Sequence, residues 1–184
     1  MIPLPVLYLL LLLALLFILF YLYKEYVKYK YKGAYFLPTK DIQIKTIIGF
    51  LNEYSNKHDF NKDTFKVVDL GSGTGTILIP LIKNGFHTTG FEINGFLYFI
   101  NYIKLLVLPC TVRAISTLYR RSFWDENFSK YNVIILYGIG YMLKDLQSKL
   151  NEDLVKGSII ISVRFPLKEF KLLDEKEGVF FYTI

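Results

Sequence analysis

The chain has 184 residues, with 22 Lys and Arg against 16 Asp and Glu for a net charge of +6, one cysteine and two histidines. A lone cysteine excludes an internal disulfide, and with His58 and His87 it leaves no spacing from which a metal site could be assembled. Beyond the first ~30 residues there is room for one domain of about 150, enough for a single sizeable core.

Met1 to Tyr23 carries no charge and is dominated by leucine, with Leu9–Leu13 unbroken. About 20 apolar residues at 1.5 Å rise cross the hydrocarbon layer, so 1–23 is expected to be a transmembrane helix held in the lipid bilayer. A cleaved leader would need basic residues before the run and small ones after it. Here the positive charge follows, and Tyr21-Leu22-Tyr23 is bulky and suited to the interfacial aromatic belt. Lys24, Lys28, Lys30 and Lys32, against Glu25 alone, make 24–38 a basic juxtamembrane segment and connector. The positive-inside rule then sets the domain in the cytoplasm, as part of a single-pass protein of the cell membrane. Residues 24–32 hold +3 and residues 33–184 the other +3. The basic balance thus reads as membrane-surface electrostatics and argues against nucleic acid as a partner.

The domain is expected over 39–184. Thr39 can cap a helix over 40–57, with Asp41 in its first turn and Ile44, Ile47, Ile48 and Leu51 on one face. After the polar loop Asn56–Thr64, strand Phe65–Leu70 carries the acid Asp69. Glycine then stands at every second position, Gly71, Gly73 and Gly75, before an apolar helix over 76–84 that Gly85 stops. Such a loop brings backbone N–H groups close to a ligand. Glu92 ends the strand Phe86–Glu92, where a carboxylate can accept both hydroxyls of a ribose. A dinucleotide fingerprint would need a further glycine at 76, which is Thr76. An acid ahead of the loop would repel a pyrophosphate and suits a cofactor bearing a sulfonium and an α-amino group. The apolar helix Gly95–Val107 ends at Pro109, and Thr111–Ser116 reads as a third strand with Cys110 a buried structural thiol at its start. Arg120-Arg121 reads as a solvated loop. Tyr131–Tyr137 follows as a buried strand, Met142–Leu154 as a helix and Ser158–Arg164 as a fifth strand. Phe170–Leu173 and Val179–Ile184, separated by Asp174–Gly178, close as a hairpin. Alternating strands and helices predict an α/β fold, with ligands beyond the carboxyl ends of the strands, where Asp69, Glu92, Ser122, Tyr137 and Arg164 fall.

The G-x-G-x-G loop with Asp69 two residues ahead resembles motif I of class I S-adenosylmethionine-dependent methyltransferases, and Glu92 resembles their acidic residue after the second strand. Four further segments narrow the resemblance: Tyr35-Phe36-Leu37-Pro38-Thr39, Gly90-Phe91-Glu92-Ile93-Asn94, Ile135-Leu136-Tyr137-Gly138 and Val163-Arg164-Phe165-Pro166. With the apolar N-terminus and the Lys149-Leu150 helix end, they are similar to the membrane-anchored protein-lysine methyltransferases of the ATP synthase c-subunit and adenine nucleotide translocase type, with their prokaryotic relatives. That likeness implies a Rossmann-like, mainly parallel seven-stranded sheet with helices on both faces. It also implies S-adenosylmethionine as methyl donor and a membrane-protein substrate. The cofactor residues it implies are Thr39, Asp69, Gly71, Ser72, Gly73, Thr74, Gly75, Glu92, Asn94 and Ser122. At Ser122 the family usually has an acid that could bind the adenine amino group, and Asp125 stands three residues later. Gly140 and Lys40 replace two of the family's prolines.

Methyl transfer to lysine is a one-step displacement that needs positioning and a deprotonated nitrogen, but no metal or covalent intermediate. Tyr137, Tyr141, Phe165 and Phe36 are candidates for a dry channel that disfavours the ammonium form, and Arg164 for a carboxylate contact beside it. Two other readings stay open: a methyltransferase for a lipid or small molecule at the membrane surface, and a non-catalytic cofactor-binding scaffold.

Overall fold

A computed structural model describes residues 3–31, 37–58, 60–61, 64–138 and 140–184, with the backbone alone at 24–31 and 140–141. Phe36 therefore lies outside the described residues, as does the side chain of Tyr141. The chain divides into two units, Met1–Ala34 and Tyr35–Ile184.

Among its described residues the first unit is one helix, α1 (Leu4–Tyr31). Its 20-residue stretch Leu4–Tyr23 is long and apolar enough to cross a membrane. The helix runs on through Lys24, Lys28 and Lys30.

The second unit opens with α2 (Asp41–Lys57) and then alternates strand and helix: β1 (Lys66–Leu70), α3 (Leu78–Lys83), β2 (His87–Phe91), α4 (Gly95–Leu106), the helical turn α5 (Cys110–Arg113) and β3 (Ser116–Tyr119). A 3-10 turn over Phe128–Lys130 leads to β4 (Val133–Leu136), α6 (Gly140–Asp153), β5 (Ile159–Val163), β6 (Lys171–Lys176) and β7 (Val179–Thr183). The sheet order is β3-β2-β1-β4-β5-β7-β6, parallel throughout except where β7 runs antiparallel to β5 and β6. This is the class I Rossmann-like methyltransferase fold that the motifs imply.

Strands β4 and β5, Val-Ile-Ile-Leu and Ile-Ile-Ile-Ser-Val, are buried at every position, as central parallel strands covered on both faces must be. Alternate residues feed two cores. Val67, Ile135 and Ile161 pack with Ile47 and Leu51 of α2 and Leu81 of α3. Val68, Ile134 and Ile160 pack with Leu146 and Leu150 of α6. The outer strand β6 is exposed along its length, and its Lys171, Asp174, Glu175 and Lys176 discourage pairing with another chain.

Four local expectations are corrected. Residues 110–113 form a helical turn, and the third strand starts at Ser116. The β-branched run at Thr111-Val112 imitates a strand, but Val112 packs on Leu78, Ile82 and Leu105. Cys110 is consequently exposed at the start of that turn instead of buried. Helix α3 spans Leu78–Lys83 only, because residues 71–77 are held in turns by the glycine loop. Thr39 is not the cap of α2. The amide of Lys40 donates to Gln43 Oε1 at 3.2 Å, and Thr39 is buried one residue ahead of the cap.

Candidate functional site

The order of the sheet reverses between β1 and β4, which opens a crevice at the carboxyl ends of these strands. The chain leaves β1 through Gly71, Gly73 and Gly75, with φ of +80°, +53° and +81°, values that L side chains rarely adopt. The loop is tied to the next strand: the amides of Gly71 and Ser72 both donate to the Phe91 carbonyl at 2.9 Å. A Cβ on Gly71 would meet nothing within 4 Å, so the backbone there faces open space. A Cβ on Gly75 would strike the carboxamide of Asn101 and lie 2.9 Å from Ile79 Cδ1.

Glu92 follows β2 and points back into the loop. Its Oε2 accepts the Gly73 amide at 2.8 Å and its Oε1 the Asn94 amide at 2.6 Å. Burial raises its pKa, while the amides of Asn94, Gly73 and Ile93 pull it back. Acceptor capacity beyond these amides remains on the carboxylate for a ligand hydroxyl. Asp69 lies within β1, almost fully buried. Burial, and then the neighbouring Glu92 carboxylate, push its pKa up to about 7 against the lowering effect of the Leu78 amide. Asp69 is thus a buried carboxyl beneath the loop whose charged form is disfavoured.

Asn94 is the N-cap of α4, its Oδ1 accepting the amides of Phe96 at 3.0 Å and Leu97 at 3.2 Å. Ser72 is buried and accepts from Asn101 Nδ2 at 3.2 Å. The carbonyl of Thr74 accepts from Lys104 Nζ at 3.0 Å. Asn101 and Lys104 are loop supports that pattern reading missed. A lone asparagine in an otherwise apolar helix is the signal that could have found Asn101, which is fully buried with its Oδ1 unpartnered.

At the next strand end, Ser122 Oγ accepts the Trp124 amide at 3.2 Å and closes a turn, and Asp125 is exposed. The buried acid here is Glu126, paired with both Arg121 and Lys130. Arg121 also stacks over Tyr119 and Phe91, 4.8 and 5.3 Å from their centroids, while half of its side chain stays exposed in the loop after β3.

Beyond β4 and β5 the structure brings three predicted residues together. Arg164 Nη1 donates to Tyr137 Oη at 2.8 Å, and the Tyr137 ring meets Phe165 edge-on with centroids 6.3 Å apart. Arg164 has a φ of +70°, a rare conformation for a residue with a side chain and one that concentrates at functional sites. Its amide donates to the Gly178 carbonyl at 2.8 Å, and Gln43 Nε2 donates to the adjacent Glu177 carbonyl at 3.2 Å. The β6–β7 turn and the start of α2 therefore buttress this side of the crevice, close in sequence to Thr39.

The chain matches the family model described as the ANTKMT methyltransferase domain over residues 69–174. Among curated proteins it is 29% identical over 131 residues to the lysine N-methyltransferase of the ATP synthase c-subunit from Xenopus laevis, covering 71% of this chain and 53% of that one. It is 28% identical over 103 residues to the adenine nucleotide translocase lysine N-methyltransferase of Mus musculus, covering 55% of this chain and 44% of that one. The chain thus spans about half the length of the curated relatives it matches. Among solved structures, an RNA methyltransferase from Salinibacter ruber in complex with S-adenosyl-L-homocysteine superposes with a TM-score of 0.64 at 22% identity, covering 80% of this chain and 94% of that one.

Proposed function

Because the chain belongs to the ANTKMT methyltransferase domain family, we propose that it methylates a lysine of a membrane-associated protein, with S-adenosylmethionine as donor. One arrangement carries the reading: a glycine loop whose amide is gripped by Glu92, one and two strands from the Tyr137–Arg164–Phe165 cluster. The residues fit such a cofactor, since the backbone at Gly71 faces open space and Glu92 keeps unused acceptor capacity. Glu92 would take the ribose hydroxyls and residues 71–75 the amino-acid end, with Thr39, Asn94 and Ser122 flanking. When bound, the cofactor would supply a methyl group on a sulfonium, with a neutral thioether as the leaving group.

The chain's own part is positioning and desolvation. Tyr137 and Phe165 offer aromatic faces that could hold an ammonium and then, by excluding water, favour its neutral form. Arg164 is held by Tyr137 and would meet an acidic group of the substrate, and Tyr141, in the first turn of α6, is a further channel candidate. A cationic donor would in turn favour the ionised form of the buried Asp69 carboxyl below the loop. The apolar stretch Leu4–Tyr23 is read as a single-pass anchor, with the basic residues after it setting the domain in the cytoplasm. Anchoring would raise the effective concentration of a substrate in the same membrane.

The test is mass spectrometry of membrane proteins from cells with and without the gene, with the gene restored as wild type or Gly73→Arg. A lysine that loses methylation without the gene, and regains it with wild type alone, supports the reading. Tritiated methyl entering lipid and no protein would reject lysine as the acceptor.

A further inference from the structure

Helix α4 is built the wrong way round for a helix covering a sheet. It buries Asn101 and Leu105 and turns outward Phe96, Phe99, Tyr102, Ile103, Leu106 and Val107. Phe96 is 71% exposed and Val107 78%. At 100° per residue these six fall on one side of the helix, so the stripe is continuous. A patch of this kind marks an interaction surface on a soluble domain.

Charge identifies the occupant. From Ile93 to Trp124 there is no acidic residue, while Lys104, Arg113 and Arg120 give +3 besides Arg121, which is paired with Glu126. Two of these cations bracket the stripe. Arg120 lies against the first turn, 2.7 Å from where a Cβ of Gly95 would stand, and Arg113 Nη1 donates to the Leu106 carbonyl of the last turn at 3.4 Å. Apolar and aromatic side chains with cations at both ends, on a 12-residue helix too short to span, match a helix that lies in the headgroup region of an anionic bilayer.

We propose that α4 is a second membrane contact, separate from the N-terminal span, which seats the domain face-down on an anionic lipid surface. The surface stands apart from the methyl-transfer reading, and its occupant is the bilayer itself.

The full chain is reconstituted into phosphatidylcholine–phosphatidylglycerol vesicles carrying acyl-chain bromines. The one tryptophan, Trp124, is replaced by Phe, and a reporter is placed by Phe99→Trp on the stripe or by Leu173→Trp on the exposed strand β6. Both positions are exposed, so folding tolerates the changes, and circular dichroism verifies it. The expected result is roughly twofold or greater quenching at position 99, weaker without phosphatidylglycerol, and little at position 173. Equal quenching at both positions, or none at 99, overturns the proposal. So does dimerisation in detergent that Phe99→Glu abolishes, since the face would then bind a second copy.

Discussion

Gly75 stands at φ +81° with the Asn101 carboxamide and Ile79 Cδ1 where a side chain would begin. Gly75→Ala should therefore cost about 1–3 kcal/mol in stability and lower affinity for S-adenosylmethionine about tenfold or more, read by thermal melting and calorimetry. An unchanged affinity would sink the assignment of this loop to the cofactor. Asp69 makes a prediction with a sign. It is an acid whose folded-state pKa is raised, from 3.8 to about 7. The folded state then binds the extra proton more tightly than the unfolded one, so stability is greatest below pH 4 for this group and is lost as pH rises towards about 7. Glu92, also raised, contributes in the same direction. Urea unfolding at pH 5 and pH 8 should give a smaller difference for Asp69→Asn than for wild type, with the variant the more stable at pH 8. Asp69 and Glu92 were legible from spacing to the glycines. Asn101 and Lys104 were not, since their partners lie about 30 residues away and only the packing of α4 brings them there.

Arg164 separates strain from function at the level of elements. It leaves β5 at φ +70° and bonds Tyr137 across the end of β4. Arg164→Gly suits that backbone, so stability should hold or rise by about 1 kcal/mol, while lysine methylation should fall about tenfold or more. A variant as active as wild type would make the arginine a packing feature. The β6–β7 hairpin follows the same left-handed logic. Its turn is Glu177-Gly178, with φ of +55° and +69°, the pairing that suits a two-residue hairpin turn. Asn, Asp or Gly at the first position signals such a turn in a sequence, and Glu177 hides it, which is why the expected connection over 174–178 was longer than the real one. The third strand was misplaced for a related reason. β-branched residues at 111–112 satisfy strand propensity, but pairing with Thr88–Phe91 selects Ser116–Tyr119.

For the whole molecule, the anchor reading predicts that the full chain stays with membranes through alkaline carbonate extraction. Two charges in the span, Leu11→Arg with Leu15→Arg, should release it, because each costs about 3 kcal/mol at the middle of a bilayer. Retention of the double variant would leave the span without its role. The sequence by itself determined what depends on composition and short spacing: an apolar run of membrane length, the strand–acid–glycine loop with its distal glutamate, and the α/β alternation that makes the sheet. These survive without coordinates because each is written in neighbouring residues. Tertiary structure alone decided what depends on distant parts of the chain meeting. It joined Tyr137, Arg164 and Phe165 at two strand ends, and set Asn101 beneath the loop. It also turned the apolar face of α4 outward, because the buried side of that helix had to support the glycine loop.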